Sequence, residues 1–265
     1  MMAGDGVKSM HGVVAMELDG LVVAVMTVDR TPAYVHQTIA SLFAADRRVH
    51  ELPCVHLVIG TSAAAYLDHL RQHEALRFHP LSAEEHERTR EWTVHRRFCH
   101  NYVRCLSLPI PEGGGICVCE DDVVFRDGFV GHLLDTIGEM EGEGRLRDYC
   151  LALFSECDFE AEPSFYRGLR YCSYGCSYHG TQCMYYPRHV ALELRDRLQR
   201  LGVDKATKPG DLLIADLYGD RLYASPRALA NHIGKVSTGL GGSGASPSFR
   251  RPYRPIPPDE WGRCT

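Results

Sequence analysis

The 265-residue chain is short of several things, and each shortage excludes a class. It has little uninterrupted apolar sequence. The run LVVAVMTV, Leu21 to Val28, falls well below the roughly 20 residues a membrane-spanning helix needs, and Glu17 and Asp19 precede it. The opening MMAGDGVKSMHG has no apolar core of the kind a secretory signal requires. Charge of one sign is also scarce. The formal net charge is only -5, which argues against a nucleic-acid partner, and the local basic clusters RRF and FRRPYR read as solvated surface. There is no CxxC pair. The 11 cysteines are odd in number and irregular in spacing, so mostly free, buried thiols in a reducing, cytoplasmic setting are expected. Cys172, Cys176 and Cys183 are conceivable zinc ligands, but a second ligand pair is missing. No internal repeat is visible. What remains is an ordinary globular composition, 45% hydrophobic and 24% charged, in a chain long enough to bury a substantial core.

Strand-like and helix-like segments alternate along that chain. GLVVAVMTVDR reads as a buried strand ending in a polar loop, and TPAYVHQTIASLFAA as a helix with Thr31 as its N-cap and Pro32 in its first position. CVHLVIGT reads as a second buried strand, followed by a helix over SAAAYLDHLRQH. The stretch from Ser82 to Leu108 reads as one long amphipathic helix opened by a Ser82–Glu85 capping box, with Arg97, Asn101 and Arg104 near one face. Beyond the breaker PIPEGGG come a strand over GICVCEDDVVF, a helix over GFVGHLLDTIGEM and a short strand in CLALFS. Then follow an aromatic and Gly-rich stretch, a strand in QCMYYP, a helix over RHVALELRDRLQRLG, and a loop entering a helix at KPGDLLIADLYG. RLYASPRALANHIG adds a strand or two. Such alternation predicts a mostly parallel sheet covered by helices on both faces, with ligands at the carboxyl ends of the strands. The expected organisation is an extension over residues 1–20, one domain over 21–241, and a Gly/Pro-rich tail over 242–265.

One segment stands out chemically. Glu120, Asp121 and Asp122 follow the apolar GGGICVC and precede the apolar VVF. Adjacent carboxylates repel unless a cation or protons compensate them. A solvated acidic turn has no need to interrupt a buried run. Clustered carboxyl oxygens suit a hard ion such as Mn²⁺ or Mg²⁺, which favours few carboxylates together with substrate phosphates.

An apolar strand ending in E-D-D resembles the Asp-X-Asp-type metal motif of GT-A glycosyltransferases. Other segments are similar to that family in the same order: VVAVMTVDRTPAYVHQTIASLF, RRFCHNYVRCL, TQCMYYPRHVALEL, KPGDLLIADL and LANHIGKVST. The order is most like that of the N-acetylglucosaminyltransferase IV-like group, over roughly residues 21–241. The resemblance implies a Rossmann-like, three-layer α/β/α GT-A domain that uses a nucleotide sugar, most simply a UDP-sugar, and a glycan or other hydroxyl-bearing acceptor.

The resemblance also implies roles. Thr27, Asp29 and Arg30 would border the base and ribose, with Arg97 and Asn101 reaching the donor from a helix. Asp122 would be the chief metal ligand, assisted by Glu120 or Asp121, with His232 as a further ligand or a phosphate contact. Lys235 and Ser237 would meet the diphosphate. Asp211 would be the general base of an inverting transfer, with Asp216 as its alternative. The aromatic rings between Ser164 and Gly180 would suit a sugar cleft. Two other functions stay open. A metal-dependent nucleotidyl- or phosphotransferase also clusters carboxylates, but it usually carries a phosphate-binding glycine loop after the first strand, and MTVDRTP has no glycine. A non-catalytic nucleotide-sugar-binding protein on the same fold would keep the pocket and lose the chemistry.

Overall fold

A computed structural model describes residues 16–62, 64–142, 146–154, 181–202, 206–219, 221–225, 228–235 and 249. The strands are β1 (Leu21–Thr27), β2 (Val55–Ile59), β3 (Leu76–His79), β4 (Gly115–Glu120), β5 (Val123–Phe125), β6 (Cys150–Ala152), β7 (Cys183–Pro187), β8 (Leu222–Ala224) and β9 (Ala230–His232). The α-helices are α1 (Val35–Ala45), α2 (Ala83–Thr89), α3 (Val94–Leu106), α4 (Phe129–Glu141), α5 (Arg188–Leu201) and α6 (Gly210–Tyr218). Seven strands form one sheet in the order β3-β2-β1-β4-β7-β6-β8, and β5 pairs with β9 in a small second sheet. Within the large sheet only β7 runs against the others, so the sheet is mostly parallel as expected.

Alternation along β1 and β4 divides the core into two layers, because successive side chains leave opposite faces of a strand. Val23, Val25, Cys117 and Cys119 pack with Val35, Ile39 and Leu42 of α1 and with Phe129 and Leu133 of α4. Val22, Ala24, Ile116 and Val118 pack with Tyr102 and Leu106 of α3, Val190 and Leu194 of α5, and Ile214 of α6. The result is the three-layer α/β/α arrangement of the GT-A fold.

Several elements differ from the sequence reading for local reasons. The helix after β1 begins at Val35 rather than at Pro32, and the residues before it form the loop that carries Arg30. The helix expected over 62–73 is a 3-10 helix, Ala65–Leu70, in which only Leu67 is buried, so no second apolar turn stabilises an α-helix there. Strand β3 follows it with only Leu76 buried, and that leaves no apolar run for the sequence to show. The single long helix is two. Ser82 and Glu85 do form the capping box of α2, but Thr93 then caps a new helix by accepting from the Arg96 N–H at 3.4 Å. Among the described residues no helix is long and apolar enough to cross a membrane.

Strand β4 ends at Glu120, and a two-residue turn of Asp121 and Asp122 leads into β5. Thr38 of α1 anchors this turn. Its hydroxyl donates to the Asp121 carbonyl at 2.7 Å and accepts from the Val123 N–H at 3.2 Å. Replacing Thr38 with Val keeps the volume but leaves both buried backbone groups unpaired. The expected loss is about 2 kcal/mol of stability in denaturant unfolding. A change below about 0.5 kcal/mol would show that Thr38 does not hold the turn.

Candidate functional site

Three segments meet at the carboxyl ends of β1 and β4: the loop after β1, the Asp121–Asp122 turn, and the end of β9. The turn between β4 and β5 ends the strand alternation, so the three carboxylates take separate surroundings. Asp121 is the most fully held. One oxygen accepts from the Thr27 hydroxyl at 2.7 Å and the Val28 N–H at 3.4 Å, while the other accepts from the Arg30 guanidinium. Asp122 shares its Oδ2 between Arg30 at 2.9 Å and Nε2 of His232 at 3.2 Å. Glu120 accepts from the Thr181 hydroxyl at 3.1 Å.

His232 reaches Asp122 because of strand pairing. β5 and β9 align Val123 with His232, and the Ile233 N–H donates to the Asp122 carbonyl at 2.8 Å. Gly234 makes the approach possible, since a Cβ there would lie 2.3 Å from Asp122 Oδ2 and 2.8 Å from His232 Nε2. The Lys235 N–H donates to the Tyr34 hydroxyl at 3.0 Å, tying the end of β9 to the start of α1, and the Tyr34 ring lies 4.8 Å from the Arg30 guanidinium carbon.

Burial and mutual charge drive the three carboxylates apart in acidity. Burial, reinforced by Asp122, pushes Glu120 up to about 8. Burial also raises Asp121, to about 6, against the pull of Arg30 and the Thr27 hydrogen bond. Burial opposes the charge on Asp122 too, but the His232 hydrogen bond and the charges of His232 and Arg30 prevail and lower it. Asp122 in turn raises His232 above its usual value despite burial.

A cavity of about 430 Å³ adjoins these groups. Asp29, Arg30, Arg97, Asn101, Glu120 and Asp121, all singled out from the sequence, line it. Arg97 and Asn101 come together from one face of α3, as their spacing predicted. Arg104, on the next turn, donates to the carbonyls of Ile59, His79 and Pro80 at 2.8 Å each and to Asn101 Oδ1 at 3.3 Å, which fixes α3 against the ends of β2 and β3. A larger hollow of about 730 Å³ beside α3, with Trp92, His100 and Arg104 in its wall, contains none of the expected site residues.

Other expected residues fall outside the cavity wall. Thr27 is buried, with its hydroxyl committed to Asp121. Asp211 sits in the first turn of α6 and accepts from the Leu212 N–H at 2.8 Å. Its neighbour Gly210 packs tightly on Phe98, which lines the cavity, so the start of α6 abuts the wall. Asp216 is exposed and paired with Lys208 at 2.7 Å. Lys235 is exposed beside Tyr34. Ser237, the aromatic stretch 164–180, Cys172 and Cys176 lie outside the described residues.

Among the described residues, no three carboxylate or imidazole donors lie within 4.8 Å of one another. Two of the three expected metal ligands, Asp122 and His232, do meet. Asp122 Oδ1 is buried without a partner, and so is His232 Nδ1. A hard oxygen left unsatisfied beside an imidazole fits Mn²⁺ or Mg²⁺ in donor type, with further ligands to come from substrate.

Sequence reasoning missed Thr38, Tyr34, Thr181, Gly60 and Gly234. The first three act only through long-range contacts, which leave no local pattern. Gly60 and Gly234 matter because a neighbour approaches: a Cβ on Gly60 would lie 2.5 Å from the Asn101 amide nitrogen. Gly234 stands in the HIG of LANHIGKVST, two residues after His232, and that placement was its one local signal.

No family model matches the chain, and no curated protein matches it in sequence. Solved structures do resemble it in fold. The glycosyltransferase GlyE of Streptococcus pneumoniae TIGR4 superposes with a TM-score of 0.51 at 10% identity, over 84% of this chain and 57% of GlyE. The galactosyltransferase LgtC, in complex with donor and acceptor sugar analogs, gives 0.46 at 14% identity, over 77% of this chain and 72% of LgtC. A putative glucose-1-phosphate thymidylyltransferase from Bacillus anthracis gives 0.44 at 9% identity, over 80% of this chain and 89% of that one. The chain spans little more than half of GlyE. Its structural neighbours include GT-A glycosyltransferases, and the likeness to GlyE is one of fold.

The raised acidity constant of Glu120 has a consequence for stability. In the folded protein the carboxyl holds its proton up to about pH 8, whereas its ordinary value is 4.5. Between these values the folded state binds more protons than the unfolded state, so stability falls as pH rises. With chelator present, the contribution of Glu120 to unfolding free energy, read as the difference between the wild-type and Glu120→Gln profiles, should decline from about pH 4.5 to about pH 8. An unchanged pH profile in the variant would place the ionisation elsewhere.

Proposed function

We propose that this protein is a metal-dependent glycosyltransferase that moves a sugar from a nucleotide sugar, a UDP-sugar in the simplest reading, to a hydroxyl acceptor with inversion at the anomeric carbon. One observation carries the reading: six expected residues, from the loop after β1, from α3 and from the end of β4 and its turn, converge on one cavity at the carboxyl edge of the sheet, beside a buried Asp–His pair. The narrower likeness to the N-acetylglucosaminyltransferase IV-like group rests on sequence segments alone and leaves sugar and acceptor open.

Each residue has a task in this reading. Asp29, Arg97 and Asn101 bind the nucleoside in the cavity, with the Gly60 backbone close behind. Thr27 and Thr38 hold the acidic turn in place. Asp122 and His232 would hold the Mn²⁺ or Mg²⁺, and Lys235 and Ser237 would meet the diphosphate. The ion supplies positive charge against the departing nucleotide. Arg30, already between two carboxylates, can swing toward the diphosphate when their charge is otherwise compensated. Asp211 takes the proton from the acceptor hydroxyl as that oxygen attacks the anomeric carbon. Asp216, exposed and bound to Lys208, is the less suited base.

A nucleotidyltransferase of similar fold would handle the same phosphates. The loop after β1, Val28–Tyr34, offers no glycine to cradle them, and the transferase reading is preferred for that reason. A binding protein would hold the nucleotide without cleaving the donor.

The test is release of free nucleotide from a panel of nucleotide sugars with Mn²⁺, first without acceptor. Slow release from one donor is expected, with at least a 100-fold loss in Asp122→Ala and on chelation, about the scale of losing a group that stabilises the leaving charge. Asp211→Asn should abolish transfer to acceptor while UDP affinity stays within about twofold, since a base acts on the acceptor and not on the nucleotide. Binding of UDP with no cleavage of any donor, even with acceptors supplied, would favour the binding-protein reading. Release of pyrophosphate from a nucleoside triphosphate and sugar phosphate would favour the nucleotidyltransferase.

A further inference from the structure

Directly behind the acidic turn, on the opposite face of β4 from α3, three thiols meet in the core. Cys117 and Cys119 project from β4 two residues apart, and Cys183 projects from the neighbouring β7. All three are fully buried. Their sulfurs are 3.2 Å apart for Cys119–Cys183, 3.6 Å for Cys117–Cys119 and 3.8 Å for Cys117–Cys183. They are the one group of three metal-type donors within 4.8 Å of each other among the described residues. Cys183, a conceivable zinc ligand with Cys172 and Cys176, meets Cys117 and Cys119, and the other two lie outside the described residues.

Sheet geometry explains the convergence. Cys119 lies opposite Cys183 in the antiparallel β4–β7 pair, and the Glu120 N–H donates to the Gln182 carbonyl at 2.8 Å in the next pair along. Hydrogen-bonded and non-hydrogen-bonded pairs alternate, so Cys119 and Cys183 occupy a non-hydrogen-bonded position, where facing side chains approach most closely. Cys117 joins them because residues two apart share a face.

All three contacts lie within range of S–H···S hydrogen bonds, so the sulfurs are turned toward one another. Carbon atoms pack best at about 3.5–4.0 Å, and sulfur is larger, so 3.2 Å is closer than two thiols acting only as hydrophobes would settle. Buried free cysteines usually behave as small apolar residues, and such residues need no sulfur-to-sulfur contact.

We propose that Cys117, Cys119 and Cys183 form a binding site for one soft, thiophilic metal ion, of which Cu⁺ is the best fit. Thiolate sulfur selects soft ions. Metal–sulfur bonds of about 2.3 Å set sulfurs about 3.8–4.0 Å apart, depending on whether the angles are tetrahedral or trigonal. For three-coordinate trigonal geometry the 3.8 Å separation is already close, and the 3.6 and 3.2 Å separations open by about 0.4 and 0.8 Å through side-chain rotation. Structural zinc usually takes four ligands, and among the described residues the cluster supplies three. A three-sulfur site walled by apolar residues therefore suits Cu⁺ better. Entry of Cu⁺ releases one thiol proton to solvent, so one thiolate and two thiols surround the ion, the buried centre carries no net charge, and no electron is transferred. Because the site is sealed, the ion enters as the chain folds. Bound there, it ties β4 to β7 immediately before Glu120. This site is separate from the acidic one, and its test does not depend on transferase activity.

The full chain is refolded anaerobically with Cu⁺ supplied as its acetonitrile complex, against a chromogenic Cu⁺ chelator, in parallel with Zn²⁺. The variants are the conservative Cys117→Val/Cys119→Val/Cys183→Val, which keeps an apolar core, and Cys105→Val as a control on an unrelated buried thiol. The expected result is one tightly held Cu⁺ per chain, with ultraviolet thiolate-to-copper charge-transfer absorption and a raised melting temperature. These signals should be lost in the triple variant and kept in Cys105→Val. Equal copper retention by a folded triple variant would overturn the proposal. So would exclusive uptake of Zn²⁺ at these cysteines.

Discussion

Everything at the carboxyl edge of this sheet depends on burying three consecutive carboxylates at the end of a central strand. Three such charges in a low-dielectric setting repel strongly, and the fold answers with a distinct device for each. Asp121 is neutralised by hydrogen bonds and Arg30, Asp122 by Arg30 and His232, and Glu120 by keeping its proton, with Thr181 beside it. The small β5–β9 sheet exists at the right place to deliver His232, and the loop after β1 delivers Arg30. A site so arranged holds a counter-charge that substrate and metal can replace. That property suits binding of a diphosphate, which brings negative charge and a cation together.

Much of this was legible in the sequence because the chemistry-bearing residues sit at strand ends and on one helix face. The apolar run before Glu120 marked β4, and the spacing of Arg97 and Asn101 placed both on the wall of one cavity. The mostly parallel sheet followed from alternation of strand-like and helix-like segments. The missing parts were those decided by distant partners. Thr27 reads as a pocket residue from its place after β1, yet its hydroxyl is taken by Asp121, 94 residues away in sequence. The break between α2 and α3 leaves the helical period nearly intact, and only the cap at Thr93 marks it. Strand β3 is an edge strand with a single buried residue, so burial left no pattern to read.

The two faces of β4 divide its labour. The α3 side leads to Glu120 and the cavity, where Gly210 at the start of α6 packs on Phe98 of the wall. The α1 and α4 side carries Cys117 and Cys119 toward Cys183. Because side chains alternate, a single strand supports both a hard, oxygen-rich site at its end and a soft, sulfur-lined cluster in its body. The two sets of donors favour different ions, so they need not compete for the same one.

The measurement closest to the central claim is calorimetric titration of the protein with UDP, with and without Mn²⁺. If the acidic turn and His232 receive a cation and a diphosphate together, UDP binds with Mn²⁺ at one site per chain and at least tenfold more weakly without it. Asp122→Asn should then bind equally weakly in both conditions. UDP affinity unaffected by the ion, or no binding at all with Mn²⁺ present, would contradict the account.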